Sequence, residues 1–130
     1  MAKSQMSGPL IVDRGILSRQ HEDWDDDGEI SITSGIVTIS SNLCNTAIAL
    51  TLPDPTSGAQ EDGGDDFKYL QIVDTTGAAH TVTPTTPFGN GGADEAVATF
   101  SGVVGDSIKL RAYGGYWYIV GKHQVTVAAA

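Results

Sequence analysis

The stretch DSIKLRAYGGYWYIV, residues 106–120, decides the fold class. Asp106–Tyr113 and Tyr116–Val120 read as two strands, because apolar and polar side chains alternate in them at the period of two that sends neighbours to opposite faces of a sheet. Between them, Tyr113-Gly-Gly-Tyr116 reads as a two-residue hairpin turn, since such turns demand positive φ at the central residues and glycine supplies it. Trp117 falls on one face of the returning strand, and Tyr116 and Tyr118 fall on the other. The tryptophan suits a core. The two tyrosines, with Tyr113, are candidates for an oligomer or ligand contact, because an exposed aromatic ring has an apolar body and a polar tip.

The same grammar extends upstream. Ile30 and Ile32, then Val37 and Ile39, alternate with serine and threonine, and Gly35 interrupts them. Ala47–Leu52 alternates again and stops at Pro53 and Pro55, which lack the N–H a ladder needs. Asp54–Asp66 is expected to be a loop. Tyr69–Asp74 and His80–Thr83 follow as strands, and the Thr75-Thr76-Gly77 turn between them predicts a hairpin. Phe88–Gly92 is glycine-rich and expected to be a mobile loop, Ala96–Phe100 is another strand, and Val125 and Val127 form a short last one. About eight short strands punctuated by turns fit a sandwich or small barrel, with no repeat at a solenoid period visible.

Residues 1–28 differ. Ser4, Gln5, Ser7, Gly8 and Pro9 are polar or helix-breaking, while Leu10, Ile11, Val12, Ile16 and Leu17 are apolar without a helical period, and Lys3, Arg14 and Arg19 add positive charge. The expected organisation is an arm at 1–28, a β domain at 29–127 and a frayed tail at 128–130.

Charge and composition narrow the function. Sixteen acidic residues against seven basic ones give a formal charge of −9, which opposes binding to a phosphate backbone, so no nucleic-acid partner is expected. Ten of the sixteen carboxylates lie in two clusters, Glu22–Glu29 and Glu61–Asp66, both read as solvated loops. Cys44 is the only cysteine, which rules out an intramolecular disulfide. No apolar run approaches a membrane span, and the first residues lack the layout of a signal peptide, so residence in a cytoplasm without a membrane partner is expected.

Few residues point to chemistry. Asp23-Trp-Asp25-Asp-Asp27-Gly28-Glu-Ile30 follows the opening of a calcium loop, with carboxylates at positions 1, 3 and 5 and glycine at 6, and makes Asp23, Asp25 and Asp27 candidate metal ligands. Position 12, normally a bidentate glutamate, is Ser34, and the competing reading is an acidic turn entering a strand. His21, His80 and His123 stand at no metal-ligand spacing, and His80 is expected to bond a neighbouring backbone group. There is no Gly-x-Ser-x-Gly elbow, and the glycines near 89–92 lack the lysine and helix of a phosphate loop. No catalytic residue and no cofactor other than Ca2+ is expected, and the chain reads as a non-enzyme.

Several phrases taken in order are familiar: Thr51–Gly58, Leu70–Gly77 leading into Ala79–Thr83, Ala98–Gly102, Gly105–Leu110 and Ala112–Tyr118. Across roughly residues 29–121 the chain resembles bacteriophage virion proteins of the capsid decoration, or cement, type. The resemblance implies an all-β sandwich or barrel-like domain of jelly-roll or tulip type with an extended N-terminal arm. It also implies a minor capsid protein, a homotrimer on the capsid exterior of the virion, made in the bacterial host cytoplasm, that stabilises the shell by bridging major capsid protein subunits. On that reading Leu10, Ile11, Ile16, Leu17 and Trp24 are the apolar anchors of a capsid-binding arm, and Arg14 and Arg19 form its salt links. Similar phrases in tail and fibre modules leave a second reading, a receptor- or glycan-binding module using Tyr113, Tyr116 and Tyr118.

Overall fold

The computed structural model describes residues 20–40 and 46–130. Among the described residues ten strands follow one another with no helix beyond three short 3-10 turns: β1 (His21–Trp24), β2 (Gly28–Glu29), β3 (Gly35–Ile39), β4 (Ala49–Leu52), β5 (Tyr69–Asp74), β6 (Thr81–Pro84), β7 (Val97–Phe100), β8 (Ser107–Tyr113), β9 (Tyr116–His123) and β10 (Val125–Ala128). They form two five-stranded sheets, ordered β1-β3-β5-β8-β9 and β10-β7-β6-β4-β2. Both sheets are open, with free ends to the strand order, so the barrel-like alternative does not hold.

From β1 to β6 the chain changes sheet at every strand. β1, β3 and β5 lie parallel in the first sheet, and β2, β4 and β6 lie parallel in the second. Each consecutive pair of strands therefore makes one circuit between the sheets, and the next circuit stacks beside it. β7 and β8 then run antiparallel to β6 and β5, and β9 and β10 run antiparallel to β8 and β7. The expected hairpin of Tyr69–Asp74 with His80–Thr83 is thus absent: β5 belongs to one sheet and β6 to the other. A solenoid period is invisible in the sequence because the circuits differ in length, 15 residues separating paired Glu22 and Val37 but 35 separating Val37 and Ile72.

Alternation supplies one core from both sheets. Val37, Ile39, Leu70, Ile72, Ile108, Leu110, Ala112 and Trp117 face inward from the first, and Leu50, Leu52, Val82, Ala98, Phe100 and Val125 from the second. Trp117 is the largest of the fully buried side chains, and its indole N–H donates to the Pro53 carbonyl at 2.9 Å, tying β9 to the chain leaving β4. Burial of side chains of this size stabilises by about 1.5–3 kcal/mol each before entropy is subtracted. Phe88 also reaches the core, so the glycine-rich stretch that follows it is a pair of 3-10 turns anchored by an aromatic ring rather than the expected loose loop.

Two boundaries move. β1 falls inside the 1–28 stretch assigned to an arm and β2 begins at its last residue, so among the described residues the sheets begin at His21, not at residue 29. Acidic His-Glu-Asp-Trp becomes a strand because it lies at a sheet edge, docked at Gly35: the Ile36 N–H donates to the Gln20 carbonyl at 3.0 Å, and a Cβ on Gly35 would stand 2.0 Å from that oxygen. At the other end, β10 takes in Ala128, which the sequence reading placed in the tail.

Candidate functional site

The outer face of the first sheet across β5, β8 and β9 gathers aromatic and cationic side chains. Register sets Tyr69 beside Arg111, Arg111 beside Tyr118, and Tyr113 beside Tyr116, while the intervening Leu70, Leu110, Ala112 and Trp117 point into the core. The Arg111 guanidinium lies 5.7 Å from the centre of the Tyr69 ring, within cation–π range. Phe67 and Tyr113 rings stand 5.4 Å apart between centroids, at 40°. Phe67, Tyr113 and Val120 are 61%, 52% and 53% exposed, too much for core residues. With Tyr118 and the stem of Arg111 they line a shallow notch of about 230 Å³ whose walls are apolar throughout.

Phe67 is held there against its own preference. Its φ is +68°, a region in which a bulky side chain costs about 1–3 kcal/mol, and such residues concentrate at functional sites. The surrounding backbone enforces it: Phe67 N–H donates to Ala112 O at 2.7 Å, and Lys68 N–H to Asp65 O at 3.0 Å. Asp65 is itself buried, unlike the solvated carboxylate the sequence reading expected. It accepts from Lys68 Nζ at 2.8 Å and from the Thr56 N–H at 2.7 Å. Burial pushes its carboxyl upward, but these donors outweigh it and the pKa is lowered.

At the opposite end of β5 and β8, two turns are fixed by buried carboxylates. Asp74 Oδ1 accepts from the N–H groups of Thr76 and Gly77 at 2.8 and 3.1 Å and from the Thr76 hydroxyl at 3.1 Å. Asp106 Oδ2 accepts from the Ser101 hydroxyl at 2.5 Å and the N–H groups of Gly102 and Val103 at 3.1 and 3.2 Å. Burial raises the Asp106 pKa less than these donors lower it, so it stays below the usual range. The backbone strands join the two turns, with Asp74 N–H donating to Asp106 O at 2.8 Å. What the Asp106 turn presents is Val103 and Val104, 54% and 65% exposed on a tip fixed from beneath.

His80 completes this layer. It is fully buried; its Nδ1 accepts from the Ile48 N–H at 2.9 Å, and its Nε2 lies 2.6 Å from the Thr76 hydroxyl and 3.4 Å from Asp74 Oδ1. A backbone N–H can only donate, so Nδ1 is unprotonated and Nε2 carries the hydrogen. The imidazole therefore gives its proton to Thr76 rather than taking one, and the Thr76–His80–Asp74 trio is arranged to hold backbone, not to activate a nucleophile. Burial depresses the His80 pKa, only partly offset by Asp74. The sequence-level expectation of a backbone partner for His80 is met in Ile48.

The remaining candidates separate. Leu10, Ile11, Arg14, Ile16, Leu17 and Arg19, together with Cys44, lie outside the described residues. Trp24, expected as an apolar anchor, is half-buried: it packs against this chain's own core and donates to Glu22 Oε1 at 2.9 Å, and Glu22 in turn accepts from Ser31. Asp23 accepts from the Thr38 and Ser40 hydroxyls, chiefly Ser40, which lowers its pKa, and Asp27 Oδ1 accepts from the Ala49 N–H at 2.8 Å. These carboxylates are drawn to separate partners, and among the described residues no group of three His, Cys, Asp or Glu is placed to hold a metal ion. Tyr113 and Tyr118 reach the outer face as alternation requires, while Tyr116 is half-buried. Phe67, Arg111, Val103 and Val104 were missed, although Gly102-Val-Val-Gly105 exposes two β-branched residues between glycines and was open to reading as a rigid tip. Among the described residues no helix is long and apolar enough to cross a membrane. No protein-family model matches the chain, and a search of curated proteins returns no match either.

Proposed function

We propose that this chain is a structural virion protein that binds the outside of an assembled bacteriophage capsid and stabilises it by bridging major capsid protein subunits, as a homotrimer. In this reading the two sheets form a sandwich, and residues 1–19 are the capsid-binding arm. The observation that carries it is the division of labour among side chains. The fully buried ionisable groups Asp74, His80 and Asp106 are occupied in holding turns, while large apolar side chains stand outside on rigid backbone. Exposed aromatic residues with arginine at their centre are the composition of protein–protein contacts. The arm enters at β1, the edge of the sheet that bears them.

Many weak contacts repeated over a lattice raise occupancy through effective concentration, so each arm needs only a modest affinity. The test is co-sedimentation of the full chain and of a chain lacking residues 1–19 with undecorated capsids. Loss of binding in the shortened chain, with its thermal unfolding unchanged, is the expected result; undiminished binding refutes the arm mechanism, and failure of the full chain to bind refutes the proposal.

A second reading, a receptor- or glycan-binding tail or fibre module, draws on Phe67, Tyr113 and Tyr118 as a stacking platform. The wholly apolar walls of the notch favour a protein side chain over a sugar, whose hydroxyls need polar partners. Binding to a glycan array that is abolished by Tyr118→Ala would reverse that preference.

A further inference from the structure

Carboxylates dominate the chain, yet they avoid one face of it. Residues 20–130 hold fifteen of the sixteen, Asp13 being the exception, against four cations, Lys68, Lys109, Arg111 and Lys122. Lys68 is paired with Asp65 at 2.8 Å. Lys122 stands opposite Ile108, whose side chain enters the core, so Lys122 is not on the outer face. Lys109 and Arg111 both point outward from β8, exposed, and among the described residues neither forms an ion pair. Their cross-strand neighbours are Gln71 and Tyr69 of β5 and Gly121 and Tyr118 of β9, none of them acidic.

The nearest carboxylates are distant or engaged. Asp23 points outward on β1, three strand spacings or about 14 Å from β8, and accepts from the Thr38 and Ser40 hydroxyls. At physiological salt a charge that far away is largely screened, since the Debye length is about 8 Å. Asp66, at the hairpin end, accepts from the Gly114 N–H at 2.9 Å. The net charge of −9 therefore misdescribes this face, which is locally cationic.

The two cations and the apolar notch lie in a line. Lys109 and Arg111 are two residues apart on one face, about 7 Å, and Arg111 is itself a wall of the notch. An extended polypeptide repeats its side chains at the same interval, so carboxylates at alternate positions meet both cations and the next alternate side chain meets the notch. The guanidinium fork binds a carboxylate through two parallel hydrogen bonds. Two cations are too few for a phosphodiester polymer, whose binders neutralise about 6–10 phosphates.

We propose that the outer face of β8 receives an acidic segment of a partner protein, with two carboxylates at alternate positions and a bulky apolar side chain at the next. This rests on reading the face as a protein contact, not on the partner being a capsid.

The probe is a random copolymer of glutamate and tyrosine, labelled for fluorescence anisotropy and titrated with the full-length protein. Binding is expected at about 10 mM salt and is expected to vanish at about 1 M, as the Debye length falls from about 30 Å to about 3 Å. K109Q/R111Q, with the unfolding midpoint of the wild type, is expected to weaken binding by about tenfold. K122E changes the net charge by the same amount from outside the face and is expected to have no effect. Should the double variant fold poorly, R111K keeps the charge, loses the fork and is expected to weaken binding by a smaller factor. Polyglutamate, with nothing to fill the notch, is expected to bind more weakly than the copolymer. No copolymer binding at low salt, polyglutamate binding as tightly, K122E weakening as much as K109Q/R111Q, or tighter binding of heparin or duplex DNA overturns the proposal. So does self-association of the wild type at low salt that K109Q/R111Q abolishes, which assigns the face to a second copy. With no capsid present, failure here leaves capsid binding through residues 1–19 standing, and failure of capsid binding leaves this result standing.

Discussion

Asp74 and Asp106 sit alone in the sequence, while Asp25, Asp26 and Asp27 sit together, and the two sets have opposite roles. The solitary pair is buried, and each carboxylate collects three hydrogen bonds from a turn. The run at 25–27 is exposed, and within it one carboxylate caps its own neighbour's N–H while another reaches only as far as Ala49. Acid density therefore marks where water does the solvating, and an isolated aspartate beside a glycine-containing turn marks where the protein does. The second cluster shows both behaviours, since Asp65 is buried beside Lys68 while Glu61 and Asp62 are exposed.

The comparison breaks most visibly at Asp74. Asp74→Ala leaves two N–H groups and the Thr76 hydroxyl without their acceptor in a buried layer, and is expected to destabilise by about 3–5 kcal/mol in urea unfolding. Asp106→Ala should follow at about 2–4 kcal/mol. Either variant unfolding at the wild-type midpoint would show that these carboxylates are ornaments.

Acidification sharpens the same contrast in two stages. His80 has a depressed folded pKa, so its neutral form contributes stability fully above the unfolded value of about 6.5, and that contribution is lost as pH falls toward the folded value. Asp65 and Asp106 are lowered, so their contribution holds above the ordinary aspartate range and is lost only as pH falls below it. Urea midpoints measured against pH are expected to fall first near pH 6 and again below pH 4; a flat profile between 7 and 5 would mean His80 is protonated without cost. Phe67→Gly is the next smaller effect: relief of the positive φ offsets lost ring contacts, so stability changes by less than about 1 kcal/mol. Asp25→Asn with Asp26→Asn is the smallest, leaving the unfolding midpoint in place.

Much of the strand content was legible because period-two alternation is a local signal. Ala47–Leu52, Tyr69–Asp74, Ala96–Phe100, the Gly114-Gly115 hairpin and the inward Trp117 all follow from it. Pairing was not legible. Thr75-Thr76-Gly77 has the composition of a hairpin turn, yet the chain after it crosses to the other sheet, and nothing within six residues distinguishes the two outcomes. β1 was hidden because an edge strand tolerates charge on its exposed positions. The apolar notch was half legible: Tyr113 and Tyr118 follow from alternation, whereas Phe67 owes its place to a backbone conformation that a phenylalanine gives no reason to expect.

The alternation of the first six strands between sheets has a kinetic corollary. A parallel neighbour is always at least a full circuit away in the chain, so β1, β3 and β5 have no partner they can zip to directly, and the one tight two-residue hairpin, β8–β9, lies near the carboxyl end. Loop closure must then precede reward for most of the molecule, which slows folding relative to a protein of similar size built from local contacts. A ribosome delivers that hairpin after nearly every strand it must organise, so these two sheets are expected to stay unstructured until residues 107–123 have emerged, and then to acquire protease resistance in one step.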